Sequence, residues 1–312
     1  MTLKGIIPAL TVVGFILAIW TIAVVPMNAH LTADQAQRDG LAMTPDAPRD
    51  RQEYAGLTLA IKNPAIIPLA YTLDRPRLPS PHQVAAELYT TVFTKAPTSR
   101  RSLVYHAWVT LSATLLGFAI GTTLGVLLAV GIVYNRTMDK SVMPWAITSQ
   151  TIPILALAPM IIVMLGAIGI QGLLPKSIIS AYLSFFPVVV GMVKGLRSPD
   201  SMQLDLLRTY SASANQGFWK LRLPASMPYL FASLKIGISA ALVGAIVGEL
   251  PTGARAGFGA RMLVGDQYGQ PIVTWAALFG AAITAALLVA ILSMIERRTL
   301  RRMGQLQSGR AA

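Results

Sequence analysis

The chain has 312 residues, no cysteine and a net charge of +13, yet only 12% of its residues are charged and 54% are apolar before its 25 glycines are counted. Ordinary soluble domains carry about 25% charged residues, and about 45–50% apolar residues with glycine included. The composition excludes a disordered chain, a disulfide scaffold and a cysteine-ligated metal site; it points to an integral membrane protein with basic ends and loops.

A helix needs about 20 mostly apolar residues to cross a hydrocarbon core of about 30 Å. Six segments meet that requirement: 6–25, 106–134, 144–166, 177–195, 227–249 and 272–295. The expectation is an all-α membrane protein with about six transmembrane helices. The first segment, behind Lys4, also resembles a secretory signal peptide. Its apolar stretch exceeds a usual signal core, and the residues before Ala29 make a poor cleavage site, so it reads as a retained helix. Residues 26–105 follow as an external segment. Within it, 30–54 mixes Asp34, Asp39, Asp46, Asp50 and Glu53 with arginines and reads as an exposed linker. Ala55 to Tyr71 is an apolar run interrupted by Lys62, Asn63, Pro64 and Pro68, read as surface-packed or re-entrant rather than as a seventh span. Ser80 and Pro81 suit the cap and first position of a helix. The spacing of Val84, Leu88 and Val92 predicts a short amphipathic helix near 81–94, either at the outer membrane surface or packed on the protein.

The second span carries Gly117, Gly121 and Gly125 on one face, a pattern for close backbone approach inside a bundle. The third contains Gln150, Thr151, Pro153 and Pro159. Its prolines remove backbone donors, so it is either a pore-lining broken helix or a simple kink. Lys194 ends the fourth span and snorkels to the inner surface. Lys235 lies deeper in the fifth and either snorkels or pairs inside the bundle. Glu249 ends that span as an interface residue or as part of a polar path.

Lysine and arginine in short loops set orientation. With the C-terminus inside, the cytoplasmic pieces hold twelve (Lys4, Arg136, Lys140, Arg197, Arg208, Lys220, Arg222 and five in the tail 296–312, Arg310 among them), against Lys176, Arg255 and Arg261 outside. Both termini are therefore expected in the cytoplasm. No phosphate-binding loop is present, so ATP is not expected to bind this chain. His30, His82 and His106 are scattered and offer no metal site, and no catalytic pair can be placed on one side of the membrane. The basic charge follows membrane orientation rather than forming a nucleic-acid patch.

Residues 196–226 form the one substantial internal loop. Ser198-Pro199 opens a helix running to Thr209. Ser213 to Gln216 matches a capping box that opens a second, and Leu223-Pro224 closes it. Phe218 and Trp219 are large apolar residues on this loop, suited to a docking partner or to the membrane interface.

The stretch from Asp205 to Pro224 resembles the E-A-A loop of permease subunits of bacterial ABC importers, whose pattern is E-A-A-x3-G-x9-I-x-L-P. Aligned on Leu223 and Pro224, Asp205 takes the acidic place, Leu206 and Leu207 the two alanines, and Leu221 the isoleucine. Ser211 falls where the family has glycine. Leu78 to Pro81, Thr151 to Pro159, Phe186-Pro187, Ser233 to Gly237 and Gly248-Glu249 follow the order of nitrate/sulfonate/taurine-type permeases across about 78–260. The resemblance implies a five-helix type I permease core over 106–295 in the bacterial inner membrane. It also implies a second permease chain, identical or homologous, a separate ABC ATPase that binds the ATP, and an external substrate-binding protein. The cargo class would be nitrate, sulfonates, taurine or pyrimidine precursors. Coupling to the ATPase would fall to Asp205, Leu206, Leu207, Arg208, Ser211, Ala212, Ser213, Gln216, Leu223 and Pro224. The path is assigned to Gln150, Thr151, Pro153 and Glu249. A membrane-embedded enzyme lacks a catalytic pair. A stand-alone channel or secondary transporter lacks the expected inverted repeat or buried charges.

Overall fold

The computed structural model describes residues 3–250, 254 and 256–304. Arg255 and Arg310, counted for orientation, lie outside them, as does the end of the tail. No strand occurs among the described residues. Among the described residues five helices are long and apolar enough to cross a membrane, six if a bent pair is counted as one span. The chain divides into two compact units, residues 1–104 with 261–280, and 105–260 with 281–312.

In the first unit, α1 runs Leu3–Arg38. Its apolar part leaves Leu10, Phe15 and Ile22 exposed, as befits a lipid-facing surface. From Val24 onward one stripe becomes buried: Asn28, Ala29, Thr32, Ala33 and Ala36. The i, i+4 spacing sets these side chains on one helix face. Short helices α2 (Pro48–Arg51), α3 (Gly56–Lys62) and α4 (Ile66–Leu69) follow. Leu59, Ala60, Ile66 and Met43 close on that alanine stripe.

The expected first span of 6–25 is thus longer, and the exposed linker over 30–54 is corrected. The helix persists because its polar continuation is rich in alanine and other good helix formers. Arg51 is only 1% exposed and donates to Asp34 at 3.0 Å and to Gln37. Asn28 holds the chain further on, accepting from the amides of Arg77 (2.8 Å) and Leu78 (3.1 Å) and donating to the Leu78 carbonyl. The run 55–71 is surface-packed against α1 and contains no helix long enough to span. Helix α5 (Pro81–Tyr89) opens on Ser80, whose amide donates to Gln83 at 3.0 Å, and a π-helical turn continues it over Thr90–Thr94. Val84 is buried against protein, whereas Tyr89 and Phe93 are exposed. Trp20 of α1 stacks on Phe279, with ring centroids 5.5 Å apart.

The second unit is a helical bundle. Helix α6 (Leu103–Tyr134) runs parallel to α9 (Leu173–Leu196). A Cβ on Gly117, Gly121 or Gly125 would sit 2.5, 2.8 or 2.9 Å from the carbonyl oxygens of Ser177, Ala181 and Phe185. The glycine stripe therefore does inside the bundle what its spacing predicts. Between these helices, α7 (Arg136–Ser149) and α8 (Ile154–Ala167) meet at a 97° bend. Pro153 caps α8, and proline disfavours helix in the residue before it. Pro144 and Pro159 stay within their helices, so of the expected kinks only the first is a break.

Two helices, α10 (Ser201–Thr209) and α11 (Ala214–Gly217), separate α9 from α12 (Leu223–Glu249). Helix α12 returns antiparallel along α9, with Gly195 against Ser226 and Gly244 against Ser180. Helices α13 (Phe258–Gln267) and α14 (Pro271–Arg302) complete the chain. Lys235 pairs with Glu296 of α14 at 2.8 Å, which decides between snorkelling and pairing inside the bundle.

Candidate coupling loop and polar core

The loop between α9 and α12 is built from local signals. Asp200 caps α10, its amide donating to Gln203 at 3.2 Å. The helix starts at Ser201, because the Ser198 hydroxyl instead turns back to the Gly195 carbonyl (2.7 Å). At its far end the amide of Ser211 bonds the Arg208 carbonyl (2.9 Å) and that of Ala212 the Leu207 carbonyl (3.0 Å). This paired closure requires a left-handed residue just past the helix. Ser211 supplies it at φ +52°, the one positive φ outside glycine among the described residues. The position where the aligned family carries glycine is therefore the position where this backbone needs it.

Ser213 then caps α11: its amide donates to Gln216 (2.9 Å), and the Gln216 amide donates to the Ser213 hydroxyl (3.3 Å). The expected stop at Leu223-Pro224 is corrected. Helix α11 runs into α12 through a π-helical turn, Phe218–Arg222, in which the Leu223 amide bonds the Phe218 carbonyl. Pro224 follows directly on that turn, in the first turn of α12.

Around this frame, Asp205 and Arg208 form an exposed pair at 3.0 Å. Met202, Leu206 and Tyr210 are 76%, 57% and 78% exposed and lie along one side of α10. Leu207 and Ala212 are half-buried, and Ser211, Ser213 and Gln216 are exposed. Phe218 packs beside the buried cluster of Ile132, Met192 and Leu196, whereas Trp219 is exposed. The Arg222 guanidinium donates to the Leu196 carbonyl at 2.9 Å and anchors the base of the loop.

Of the residues assigned to the path, Gln150, Thr151 and Pro153 come together at the break between α7 and α8. The Gln150 amide nitrogen is buried without a partner. The Thr151 hydroxyl donates to the Thr148 carbonyl (2.8 Å), and Thr151 and Pro153 are exposed. The Tyr182 hydroxyl donates to the Ser149 carbonyl just before the break. Glu249 is not among them. It is 0% exposed and sits in a hydrogen-bonded core. Its carboxylate accepts from the Thr110 hydroxyl (2.9 and 3.1 Å) and the Gly259 amide (2.9 Å), with Lys176 at 3.8 Å. The Phe258 amide donates to Thr110 (2.9 Å) and the Gly257 amide to His106 (3.0 Å). Gly257, at φ +122°, wraps the carboxylate so closely that any side chain there would strike it. Sequence reasoning named Lys176 only as an outside charge and His106 only as a scattered histidine, and it did not single out Thr110. Spans read by apolarity alone give their polar residues no signal, and Thr110 lies 139 positions from Glu249.

Residues 121–305 match the family described as "Binding-protein-dependent transport system inner membrane component". The chain belongs to that family. It is a multi-pass inner-membrane permease subunit of an ABC importer, and this permease family is not an enzyme family. The family implies an ATPase partner and a substrate-binding protein. A probable ABC transporter permease of Haemophilus influenzae is 32% identical over 200 residues, 64% of this chain and 76% of that protein. The formylaminopyrimidine transport permease ThiX of Halalkalibacterium halodurans is 32% identical over 182 residues, 58% of this chain and 68% of that protein. Among solved structures, the inward-facing MetNI methionine ABC transporter matches 64% of this permease and 95% of the solved chain, at 22% identity and TM-score 0.49.

Proposed function

We propose that this permease couples ATP hydrolysis on a separate subunit to inward passage of a small polar organic solute or anion, with α10 and α11 as the docking lever. The observation that carries the reading is the left-handed Ser211 at the family's glycine position. It folds the loop into two capped helices that leave Met202, Leu206 and Tyr210 uncovered. Exposed apolar side chains aligned on a helix mark a protein-binding face. A cleft in the ATPase would receive them, while Arg222 and Phe218 transmit its movement to α9 and α12. The ATP stays on the ATPase. A second permease chain completes the path, and the break at Gln150, Thr151 and Pro153 lies on it, since unwound backbone at membrane depth is stable only against protein or water. Both termini are cytoplasmic, and the binding protein delivers cargo at the opposite face. ThiX is named for a pyrimidine, and that heterocyclic class stands beside sulfonates and nitrate as candidate cargo.

The test is co-purification from the native host in mild detergent. The intact permease is expected to bring down a stoichiometric ABC ATPase. Deletion of 211–217 is expected to lose the ATPase and solute uptake while leaving membrane insertion intact. Normal uptake by the deletion strain would reject the lever.

A further inference from the structure

A cavity of about 650 Å³ opens in the second unit, among the start of α6, the end of α8, the start of α9 and the end of α12. It lies at the opposite end of α9 and α12 from the α10–α11 loop. Its walls are largely apolar, from Pro159, Ile162, Val163, Ile170 and Pro175, with Tyr105, Gln171 and Lys176 as polar members. That mixture, an apolar body of drug-sized volume with a few placed polar groups, is the usual form of a small-molecule site.

Lys176 is the informative member. Its side chain is 13% exposed, and its ammonium has three donors to satisfy. Its nearest polar partners are distant: the Ala256 carbonyl at 3.5 Å and Glu249 at 3.8 Å. Glu249, by contrast, already accepts short bonds from Thr110 and Gly259. The carboxylate holds the ammonium at the wall chiefly by charge. Among the described residues the ammonium makes one long hydrogen bond, to Ala256, and so keeps a donor for an acceptor entering the cavity.

The geometry points to this cavity as a binding station for a compact organic solute that joins an apolar, flat body to one acceptor group, an acid oxygen or a ring carbonyl, held by Lys176. A small inorganic anion such as nitrate does not fit, because most of its oxygens would face aliphatic walls without donors. This deepens the importer reading by naming its cargo class, and its test is separate from ATPase co-purification.

The chain has no cysteine, so Ile170→Cys places a single thiol on the cavity wall. The full-length variant in nanodiscs is treated with a water-soluble maleimide, alone and with nicotinate, nicotinamide, benzenesulfonate or nitrate. At saturation, one or more of the three ring compounds is expected to slow labelling at least about fivefold, and nitrate to leave it unchanged. Lys176→Met is expected to abolish the protection, and Lys176→Arg to retain it, each read against that variant's own probe-free labelling rate. Retained protection in Lys176→Met, or labelling indifferent to all three ring compounds, overturns the proposal. So does nitrate protecting as well as they do. A thiol that reacts only after lipid is stripped away also overturns it, showing an acyl chain in the cavity. Failure here with the ATPase still co-purifying removes the station and leaves the permease function standing.

Discussion

Ser211 holds a backbone conformation that costs an L-residue about 1–2 kcal/mol. Glycine removes that penalty and adds some unfolded-state entropy, so Ser211→Gly is expected to stabilise the loop by a few tenths to about 1 kcal/mol. Uptake should persist, and the thermal midpoint in detergent should hold or rise. Ser211→Val is expected to lower it, since a β-branched residue is least tolerant of that region. Glu249 presents the reverse case. Glu249→Ala strands a threonine hydroxyl and an amide in the core and leaves the ammonium at the cavity wall without its counter-charge, and loss of about 3–5 kcal/mol is expected, read as a collapse of the thermal midpoint. Glu249→Gln keeps an acceptor for Gly259 and should lose less. The sequence made the first residue legible and, for the second, showed the residue but hid its partners. Ser211 stands inside a contiguous stretch whose resemblance to the family's loop marks its glycine position. Glu249 depends on Thr110 and Lys176, which come from two other helices and which apolarity profiles pass over.

The five long apolar helices were readable because each needs a minimum apolar length, and the break at Pro153 because proline leaves a chemical signature. What escaped was the helix beyond the bilayer. The buried face of α1 from Ala29 to Ala36 is made of alanines, too small to register as a hydrophobic stripe, and Arg51 looked like a surface charge because its partner Asp34 is 17 positions away. The reach of the α11 capping box was legible, but its continuation through the π-helical turn was not, since Leu223-Pro224 reads as a stop. The glycine stripe of α6 carries its own test. Gly121→Leu would drive a side chain into the Ala181 carbonyl, 2.8 Å from where its Cβ would lie. No rotamer change relieves a clash with backbone. The expected outcome is loss of monodisperse protein on size exclusion, with Gly166→Leu, where a Cβ meets nothing within 4 Å, as the tolerated control.

For the molecule as a whole, the family match begins at residue 121, so α1 to α5 stand outside it. They nonetheless fold around the alanine stripe and Asn28 into packed structure rather than a tether. The distribution of basic residues predicts how the chain lies in its membrane. A reporter that fluoresces only in the cytoplasm, fused after residue 312, is expected to light up, and the same reporter inserted in the turn after Thr94 is expected to stay dark. The reverse pattern would invert the orientation and place the α10–α11 loop on the wrong side for an ATPase.

The turn at Phe218–Arg222 holds one residue more than an α-helix would use. Losing a single residue there would scarcely shorten the rod. It would let the hydrogen bonds fall back to their ordinary register while α10 and α11 kept nearly the same direction, because the extra residue is taken up within the turn; the same loss in the regular part of α12 would swing everything ahead of it by about 100°. The junction is thus slack built into the rod: one codon can be lost there without changing which way Met202, Leu206 and Tyr210 point.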